Sequence, residues 1–368
     1  MCRLFCAGRV SARTKRDASM SLQKTIVNLL LKLPDPILVS MAGGKPVVRD
    51  GRTLDARFQF IAHSVTKRGP QPELTKEFAR QGTEILTMLF GGTLEPGVSC
   101  QDRSLELEGR SIPARSYRPS NQNPLAPLLV FYHFGGGVVG SLETCHALCS
   151  ILAKTIGCPV LSVDYRLAPE HPWPAGLNDA IDSYLWARDH AQEFGAPAGV
   201  AAVGGDSMGG NFSAIIAQEM QRRELPQPFL QLLIYPATTI LETEGSMQTC
   251  ADAYPLTADI MAWFMANYLP NSDLGPNLGE DLRVSPALAP SLAGLAPAIV
   301  ITAGHDPLRD QGKAYAEALE AADVKVHFQC YDSLAHGFTA YTGGVPAADR
   351  ACRELAAVAA RAYRAMGG

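Results

Sequence analysis

The sequence predicts an α/β fold in which a mostly parallel sheet is covered by helices on both faces. Two observations carry this prediction. Short apolar runs rich in β-branched residues alternate with longer segments of helical period, and most of the runs are apolar almost without interruption. Strand–helix–strand repetition implies right-handed crossovers between parallel strands. At 368 residues, the chain is long enough for two domains or for one large domain with an appendage.

Eight segments have the length and composition of strands. They are Ser104–Glu108, Ile112–Tyr117, Leu128–His133, Val160–Arg166, Val200–Gly204, Leu230–Tyr235, Ala298–Thr302 and Lys325–Tyr331. The last six are expected to be buried on both faces, because they do not alternate between polar and apolar residues. The helical patterns are Leu142–Ile156, Gly176–Gln192, Met208–Arg223, Asp310–Ala321 and Ala347–Met366.

Two segments depart from this alternation and divide the chain. Residues 20–95 are polar and helical in character, and residues 237–284 are inserted between two strands. Insertions at the carboxyl side of sheet strands often cover a substrate site, so we expect the two segments to form one cap. The core then comprises residues 96–236 and 285–368. Residues 1–19 form a basic leader that could lie outside the mature fold, since a second methionine stands at position 20.

Charge and hydropathy exclude several classes of function. The chain has 32 Lys and Arg against 36 Asp and Glu, a net charge of −4, which offers no general attraction for nucleic acid or anionic membranes. The uncharged stretch 284–304 is interrupted by three prolines and is not a membrane span. The apolar run near the N-terminus ends at Lys32 with no small-residue cleavage site behind it, so a secretory signal is not favoured. We expect a cytoplasmic protein.

The nine cysteines are scattered and odd in number, which predicts no disulfide framework. Cys145 and Cys149 flank His146 in a pattern that superficially suggests a metal site. No second pair of ligands follows at zinc-like spacing, so the face of a buried helix is the better interpretation. No metal is expected.

The segment Gly205-Asp206-Ser207-Met208-Gly209 matches G-x-S-x-G between a predicted strand and a predicted helix. A nucleophile elbow needs a strand that ends in a sharp turn, small residues on both sides of the serine, and a helix N-terminus facing the developing anion. All of these are present. This context favours Ser207 as a nucleophile over the alternative, a glycine-rich turn that binds phosphate.

A serine hydroxyl needs a base, and the base needs an orienting acid. Asp306 follows a predicted strand and fits the acid, while His336 follows the next strand and fits the base. The order serine, acid, histidine is that of the nucleophile-elbow hydrolases. Asp310 is the rival acid, although it lies in the following helix. His305 and His327 are rival bases, less favoured because one adjoins the acid and the other lies inside a strand.

Backbone donors for a developing oxyanion are expected after the strand that ends at His133. The glycines that follow can turn their N–H groups toward a pocket without a Cβ in the way. The predicted donors are the amides of Gly135, Gly136 and Met208. A flexible glycine-rich loop is the alternative.

From about residue 100 to its end, the chain resembles the hormone-sensitive-lipase-like family of α/β-hydrolases, bacterial carboxylesterases with an N-terminal cap. The motifs that carry the resemblance stand in order: His133-Phe134-Gly135-Gly136-Gly137 with Gly140-Ser141-Leu142-Glu143-Thr144, Asp164-Tyr165-Arg166-Leu167-Ala168-Pro169-Glu170-His171-Pro172-Trp173-Pro174-Ala175, Gly205-Asp206-Ser207-Met208-Gly209-Gly210-Asn211, Val284-Ser285-Pro286, Asp306-Pro307-Leu308-Arg309-Asp310 and His336-Gly337-Phe338. The resemblance implies an eight-stranded core sheet and a helical cap built from the N-terminus and an insertion after the sixth strand. Arg166 and Glu170 are expected to form a structural polar cluster under the site.

The chain departs from the family pattern in two respects. Phe134 stands where the family has the first glycine, with Gly137 in place of the aromatic residue, and Met208 stands where alanine is common. Both changes add bulk beside the nucleophile, so we expect a narrowed acyl site. Aromatic residues that could wall this site, with core packing as the alternative for each, are Phe134, Tyr254, Trp263, Phe264 and Phe338.

The function expected from these residues is hydrolysis of carboxylic esters with short to medium acyl chains through an acyl-enzyme. No metal or organic cofactor is needed. The expected partner is a small-molecule ester, and a homodimer is open as an alternative to a monomer. A non-catalytic binder, such as the plant gibberellin receptors that resemble this family, is the alternative, but those receptors lack the base histidine. A lipase, an amidase or a lactonase would use the same three residues.

Overall fold

An eight-stranded sheet organises the part of the chain that the computed structural model describes, residues 23–66, 73–270 and 277–367. Its strands are β3 (Val98–Leu107), β4 (Arg110–Pro119), β5 (Leu128–Tyr132), β6 (Val160–Val163), β7 (Ala201–Asp206), β8 (Gln231–Ile234), β9 (Ala298–His305) and β10 (Val326–Ala335), in the spatial order β10-β9-β8-β7-β5-β6-β4-β3. Strands β5 to β10 are parallel, and β4 pairs antiparallel with both β3 and β6. A two-stranded hairpin, β1 (Val48–Arg49) and β2 (Arg52–Thr53), precedes it. The predicted fold class is confirmed.

Helices cover both faces of this sheet. The described helices are α1 (residues 23–30), α2 (Asp35–Met41), α3 (Ala56–Thr66), α4 (Lys76–Phe90), α5 (His146–Ile156), α6 (Ala175–Asp189), α7 (Met208–Arg222), α8 (Ser246–Thr249), α9 (Ala258–Tyr268), α10 (Arg309–Ala321) and α11 (Pro346–Ala365). Leu129 and Phe131 of β5 join the core cluster of α5 and α11, whereas Leu128 and Val130 join that of α6 and α7. Alternate residues of one strand therefore serve two cores.

The structure corrects the expected burial of β10. Within the described ranges, this strand lies at the edge of the sheet and pairs with β9 alone. Most of its residues are half-buried or exposed, and only Leu334 and Ala335 at its end are buried. The apolar pattern that suggested burial on both faces was misleading here, because one long side of an edge strand has no neighbour.

The two predicted cap segments contact each other through polar side chains. The guanidinium of Arg49, in the hairpin, lies 2.6 Å from the Asp252 carboxylate and donates to the Thr249 carbonyl at 3.0 Å. The Thr249 hydroxyl in turn donates to Asp50 at 2.7 Å. The insertion follows β8, the sixth strand of the large sheet. The predicted leader, residues 1–19, lies outside the described residues.

The expected pairing of Arg166 with Glu170 was wrong. Arg166 binds the buried Asp179 of α6 at 2.8 Å, while Glu170 accepts hydrogen bonds from Lys76 and Arg80 of α4 at 2.7 to 2.9 Å. Arg80 also donates to the carbonyls of residues 138 and 168. The motif therefore serves two purposes: one residue ties the sheet to a core helix, and the other ties the core to the N-terminal segment.

Candidate active site

Ser207 stands in a sharp turn between β7 and α7. Its backbone has φ 55° and ψ −114°, a conformation that side-chain-bearing residues rarely adopt. The Ser207 amide donates to the carbonyl of Ile234 at 2.8 Å, which fixes the turn to the end of β8. The predicted strand–serine–helix arrangement is present.

The glycines of the motif are required by close backbone approach. A Cβ atom at Gly205 would lie 2.7 Å from the carbonyl oxygen of Tyr132 and would also meet the Gly209 backbone. A Cβ atom at Gly209 would collide with the same Tyr132 carbonyl. The elbow is thus pressed against the end of β5, where no larger residue fits.

Three of the predicted residues form one line of hydrogen bonds. The Ser207 Oγ lies 2.9 Å from Nε2 of His336, and Nδ1 of His336 lies 2.8 Å from Oδ2 of Asp306. Oδ1 of Asp306 accepts from the Leu308 amide at 2.8 Å. All three side chains follow the carboxyl ends of parallel strands, β7, β9 and β10, so they meet at one edge of the sheet. The Asp306 side chain is completely buried, and the other two are nearly so.

None of the rival residues joins this line of hydrogen bonds. The carboxylate of Asp310 binds Arg309 at 2.7 Å and accepts from the Ser246 amide at 2.8 Å. His327 lies exposed within β10. His305 ends β9 and is buried; burial, with the nearby charges of Arg49 and Arg309, lowers its pKa to about 4. The structure therefore brings Asp306 and His336 to the serine.

The glycines after β5 adopt conformations that favour glycine. Gly135 has φ 123° and Gly136 has φ 61°. A Cβ atom at Gly135 would collide with the carbonyl oxygen of Val139. Among the described residues, no hydrogen bond uses the amide of Gly135, Gly136 or Met208 as its donor. These three N–H groups are thus unpaired among the described residues, as donors to an oxyanion would have to be.

His133 supports this loop from beneath. Its ring is completely buried, stacks on Tyr165 at 4.3 Å, and lies 2.7 Å from the Phe134 carbonyl through Nδ1. The Tyr165 hydroxyl donates to the His133 carbonyl at 2.8 Å. Burial disfavours the charged imidazole, but the Asp164 carboxylate, Cys145 and the Phe134 carbonyl together outweigh it and raise the pKa of His133.

The aromatic wall candidates lie in three places. Phe264 of α9 lies against Gly136 in the loop of residues 135–137, called the donor loop below. Trp263 packs against Phe264, with 5.5 Å between the ring centroids. Tyr254 reaches the Tyr341 hydroxyl at 3.3 Å. The remaining two pack into the α5–α11 core: Phe134 is half-buried, and Phe338 is completely buried against Tyr235 and Tyr331.

Two supporting residues were missed by the sequence analysis. Tyr235, just after β8, packs its ring 4.8 Å from the imidazole of His336, and its hydroxyl lies 2.9 Å from the carboxylate of Asp206. The signal that could have found Tyr235 is its position after a central strand, the same position that identified the acid and the base. Asp206 was quoted only as part of the serine motif.

The described residues hold no group of three or more His, Cys, Asp or Glu side chains arranged to bind a metal ion. Cys145 and Cys149 are buried and free, with the sulfur of Cys145 3.1 Å from the Ser162 hydroxyl. In the described ranges, no helix has the length and apolar character needed to cross a membrane.

Known proteins resemble this chain over most of its length. A family model of the alpha/beta hydrolase fold matches residues 129–340. The carboxylic ester hydrolase LipN of Mycobacterium tuberculosis is 39% identical over 341 residues, 90% of either chain. The ethyl acetate hydrolase of Pseudomonas putida is 36% identical over 293 residues, 77% of this chain and 90% of that one.

Solved structures agree with these matches. An ester-hydrolase from the metagenome of Lake Arreo, complexed with a derivative of bipyridine phosphonate, superimposes with a TM-score of 0.76 at 36% identity, covering 82% of this chain and 96% of that one. A thermostable esterase from Pseudomonas putida gives 0.75 at 32% identity, with the same coverage of 82% and 96%. The ordered motifs and these likenesses show that the chain belongs to the α/β-hydrolases, in the hormone-sensitive-lipase-like family.

Proposed function

We propose that this protein is a serine carboxylic ester hydrolase that acts on short to medium acyl chains. The observation that carries the proposal is the unbroken hydrogen-bond line from Ser207 Oγ through His336 to Asp306, with distances of 2.9 and 2.8 Å. The names of the relatives, which include a carboxylic ester hydrolase and an ethyl acetate hydrolase, support the same reaction class.

The geometry supports a two-step mechanism. Nε2 of His336 accepts the hydroxyl proton as Ser207 Oγ attacks the ester carbonyl, and Asp306 holds the imidazole in the tautomer that leaves Nε2 free. The amides of Gly135, Gly136 and Met208 donate to the oxyanion. His336 then gives its proton to the departing alcohol. Water, deprotonated by His336, attacks the acyl-enzyme. As the second tetrahedral intermediate collapses, His336 returns this proton to Ser207 Oγ and the acid is released.

The preference for short to medium chains is supported by the bulk around the nucleophile. Met208 follows the serine and is 9% exposed, and Phe264 packs on the donor loop. A hydrophobic pocket discriminates by one to a few kcal/mol per methylene, which is enough to set a clear chain-length optimum.

The protein is further proposed to work in the cytoplasm, with a small-molecule ester and no nucleic acid as its partner. The seven cysteines among the described residues are all free thiols, which suits a reducing compartment. The net charge of −4 argues against binding of polyanions.

Wild type and Ser207→Ala, assayed on p-nitrophenyl esters of increasing acyl length, test the proposal. We expect turnover of the short esters to fall by about 10⁴-fold or more in the variant, because the acyl-enzyme cannot form. Ser213→Ala is the matched control, since the Ser213 hydroxyl bonds the Gly209 carbonyl one helical turn back and not the proposed base. A fluorophosphonate should label wild type at Ser207.

Undiminished turnover by folded Ser207→Ala would refute the serine mechanism. A wild type that neither turns over esters nor accepts the fluorophosphonate would point to a binding protein. A rate optimum at long acyl chains would contradict the chain-length preference alone.

A further inference from the structure

Asp206, the residue before the nucleophile, lies in a closed cluster with Tyr235 and Thr339. Its Oδ2 lies 2.9 Å from the Tyr235 hydroxyl and 2.7 Å from the Thr339 hydroxyl, and these two hydroxyl oxygens are 2.5 Å apart. Asp206 is completely buried, and its Oδ1 has no hydrogen-bond partner within the described ranges. The cluster joins the elbow, the end of β8 and the turn that follows His336.

Counting protons shows which form of Asp206 fits. Three oxygen atoms in a triangle need three protons if every edge is a hydrogen bond. Tyr235 and Thr339 supply one each. With an ionised Asp206, one edge would set lone pairs against each other at 2.9 Å or less. A protonated Asp206 supplies the third proton, so each group donates once and accepts once around the triangle.

The surroundings also disfavour a charge on Asp206. No Lys or Arg among the described residues forms an ion pair with it. Burial raises the pKa of Asp206, and the Thr339 and Tyr235 hydroxyls and the two nearby imidazoles offset this only in part. The titratable groups that face it are His133, Cys145, Cys149, Tyr165, Tyr235, His336 and Cys352.

We infer that Asp206 is a neutral carboxylic acid in the native enzyme and serves as a positioning residue for His336. It ties the histidine turn to the elbow through Thr339, and through Tyr235 it fixes an aromatic ring 4.8 Å from the imidazole. A second carboxylate charge here would stabilise the imidazolium and weaken its return of the proton to the leaving alcohol. With Asp206 neutral, Asp306 is the ionised carboxylate that contacts the imidazole of His336, at 2.8 Å.

The first test does not require ester turnover. The free energy of unfolding in urea is measured for wild type and Asp206→Asn between about pH 4 and 8, where the amide has the charge of the neutral acid and does not titrate. If the native state keeps the proton on Asp206, the unfolded chain still releases it above about pH 4. The free energy of unfolding of wild type then falls relative to that of the variant as pH rises. We expect the gap between the two urea midpoints to move steadily in that direction. A gap that is constant above about pH 5 would mean an ionised Asp206 and would overturn the inference.

The second test is kinetic and rests on the proposed function. The acid limb of the kcat/KM profile reports the pKa of the free base. We expect Asp206→Asn to leave this limb within about 0.2 pH units of wild type, because no charge is lost; a downward shift of about half a unit or more would contradict the neutral acid. Absence of ester turnover in wild type would count against the proposed function and leave the unfolding test intact.

A pair of variants at position 339 tests positioning without altering Asp206. Thr339→Val removes one vertex of the triangle, whereas Thr339→Ser keeps the hydroxyl. We expect Thr339→Val to lower kcat about tenfold and to leave KM nearly unchanged. The substitution would displace the base His336 without altering substrate binding. Thr339→Ser should recover most of the rate. Equal kcat in both variants would show that the hydroxyl does not position His336.

Discussion

The ring of Phe264 lies against Gly136, one of the three proposed oxyanion donors. A Cβ atom at Gly136 would come within 2.5 Å of Phe264 Cγ and within 2.8 Å of both Cδ atoms. In the same way, a Cβ atom at Gly137 would meet the ring of Tyr268. Both rings belong to α9, so the insertion sits directly on the loop that is to hold the oxyanion.

This contact predicts that Phe264 limits the acyl chain. In Phe264→Ala the space beside the donor loop opens, and we expect the ratio of kcat/KM for long over short acyl esters to rise about tenfold. Phe78→Ala is the matched control, because Phe78 is an exposed ring on α4. The assay is a chain-length series of p-nitrophenyl esters, and an unchanged ratio would show that the acyl chain lies elsewhere.

The assignment of the acid predicts unequal effects of two neighbouring substitutions. Asp306→Asn should lower kcat about 10⁴-fold, because the amide cannot hold the imidazole in the required tautomer. Asp310→Asn should retain kcat within a few-fold, since the Asp310 carboxylate binds Arg309 and the Ser246 amide instead. Comparable losses in both variants, each shown to be folded, would leave the identity of the acid open between them.

Substitution of Asp179 is expected to lower the stability of the fold, although this residue takes no part in the proposed reaction. It is completely buried and receives Arg110 at 2.6 Å and Arg166 at 2.8 Å. Asp179→Ala leaves these guanidinium groups without their shared partner and should lower the free energy of unfolding by about 3 kcal/mol. The exposed Asp189, paired with Arg188, is the control, and Asp189→Ala should change it by less than about 0.5 kcal/mol in the same urea titration.

The contacts of Glu170 with α4 are expected to make the attachment of the N-terminal segment to the core depend on pH. Hydrogen bonds from Arg80 and Lys76 lower the pKa of Glu170 to about 2. A depressed pKa adds stability above the unfolded value, and this stability is lost as pH falls from about 4.5 toward 2. Glu170→Gln should therefore lower the thermal midpoint at pH 7 by about 1–2 °C, a small change because solvent screens the pair.

The same comparison at about pH 2.5 should show a smaller difference between wild type and Glu170→Gln. Glu77→Gln is the control, because the exposed Glu77 carboxylate is 3.9 Å from Lys76. A difference for Glu170→Gln that stays constant with pH would mean that packing, not charge, carries the effect.

The sequence predicted the elements of the sheet and the three residues of the hydrogen-bond line because their signals are local. The central strands are nearly continuous apolar runs, and Ser207, Asp306 and His336 each follow a strand directly. The glycine requirement at Gly205 and Gly209 was also readable, since the motif itself specifies where bulk is excluded. The helix before β6 begins at His146 rather than at Leu142, because a turn occupies the preceding residues.

Contacts between distant parts of the chain were not predictable in this way. Asp206 meets Tyr235 and Thr339 across 29 and 133 residues, and nothing in their spacing links them. The partners of Glu170 lie 90 and 94 residues away on α4, whereas the sequence pointed to the nearby Arg166. The exposure of β10 depends on its place in the sheet order, which a run of apolar residues does not reveal.

The edge strand β10 precedes the proposed base His336, and the hairpin β1–β2 lies beside its end. An unpaired strand edge invites pairing with another chain. Here the hairpin β1–β2 lies beside the end of that strand: Arg52 binds Asp332 at 2.7 Å and the Asp55 amide donates to the Ser333 carbonyl at 2.9 Å. His336 follows three residues later. A truncation that removed the hairpin would expose the end of this strand to pairing with other chains. It would also remove contacts that hold the strand before the proposed base, so we expect solubility and activity to decline together.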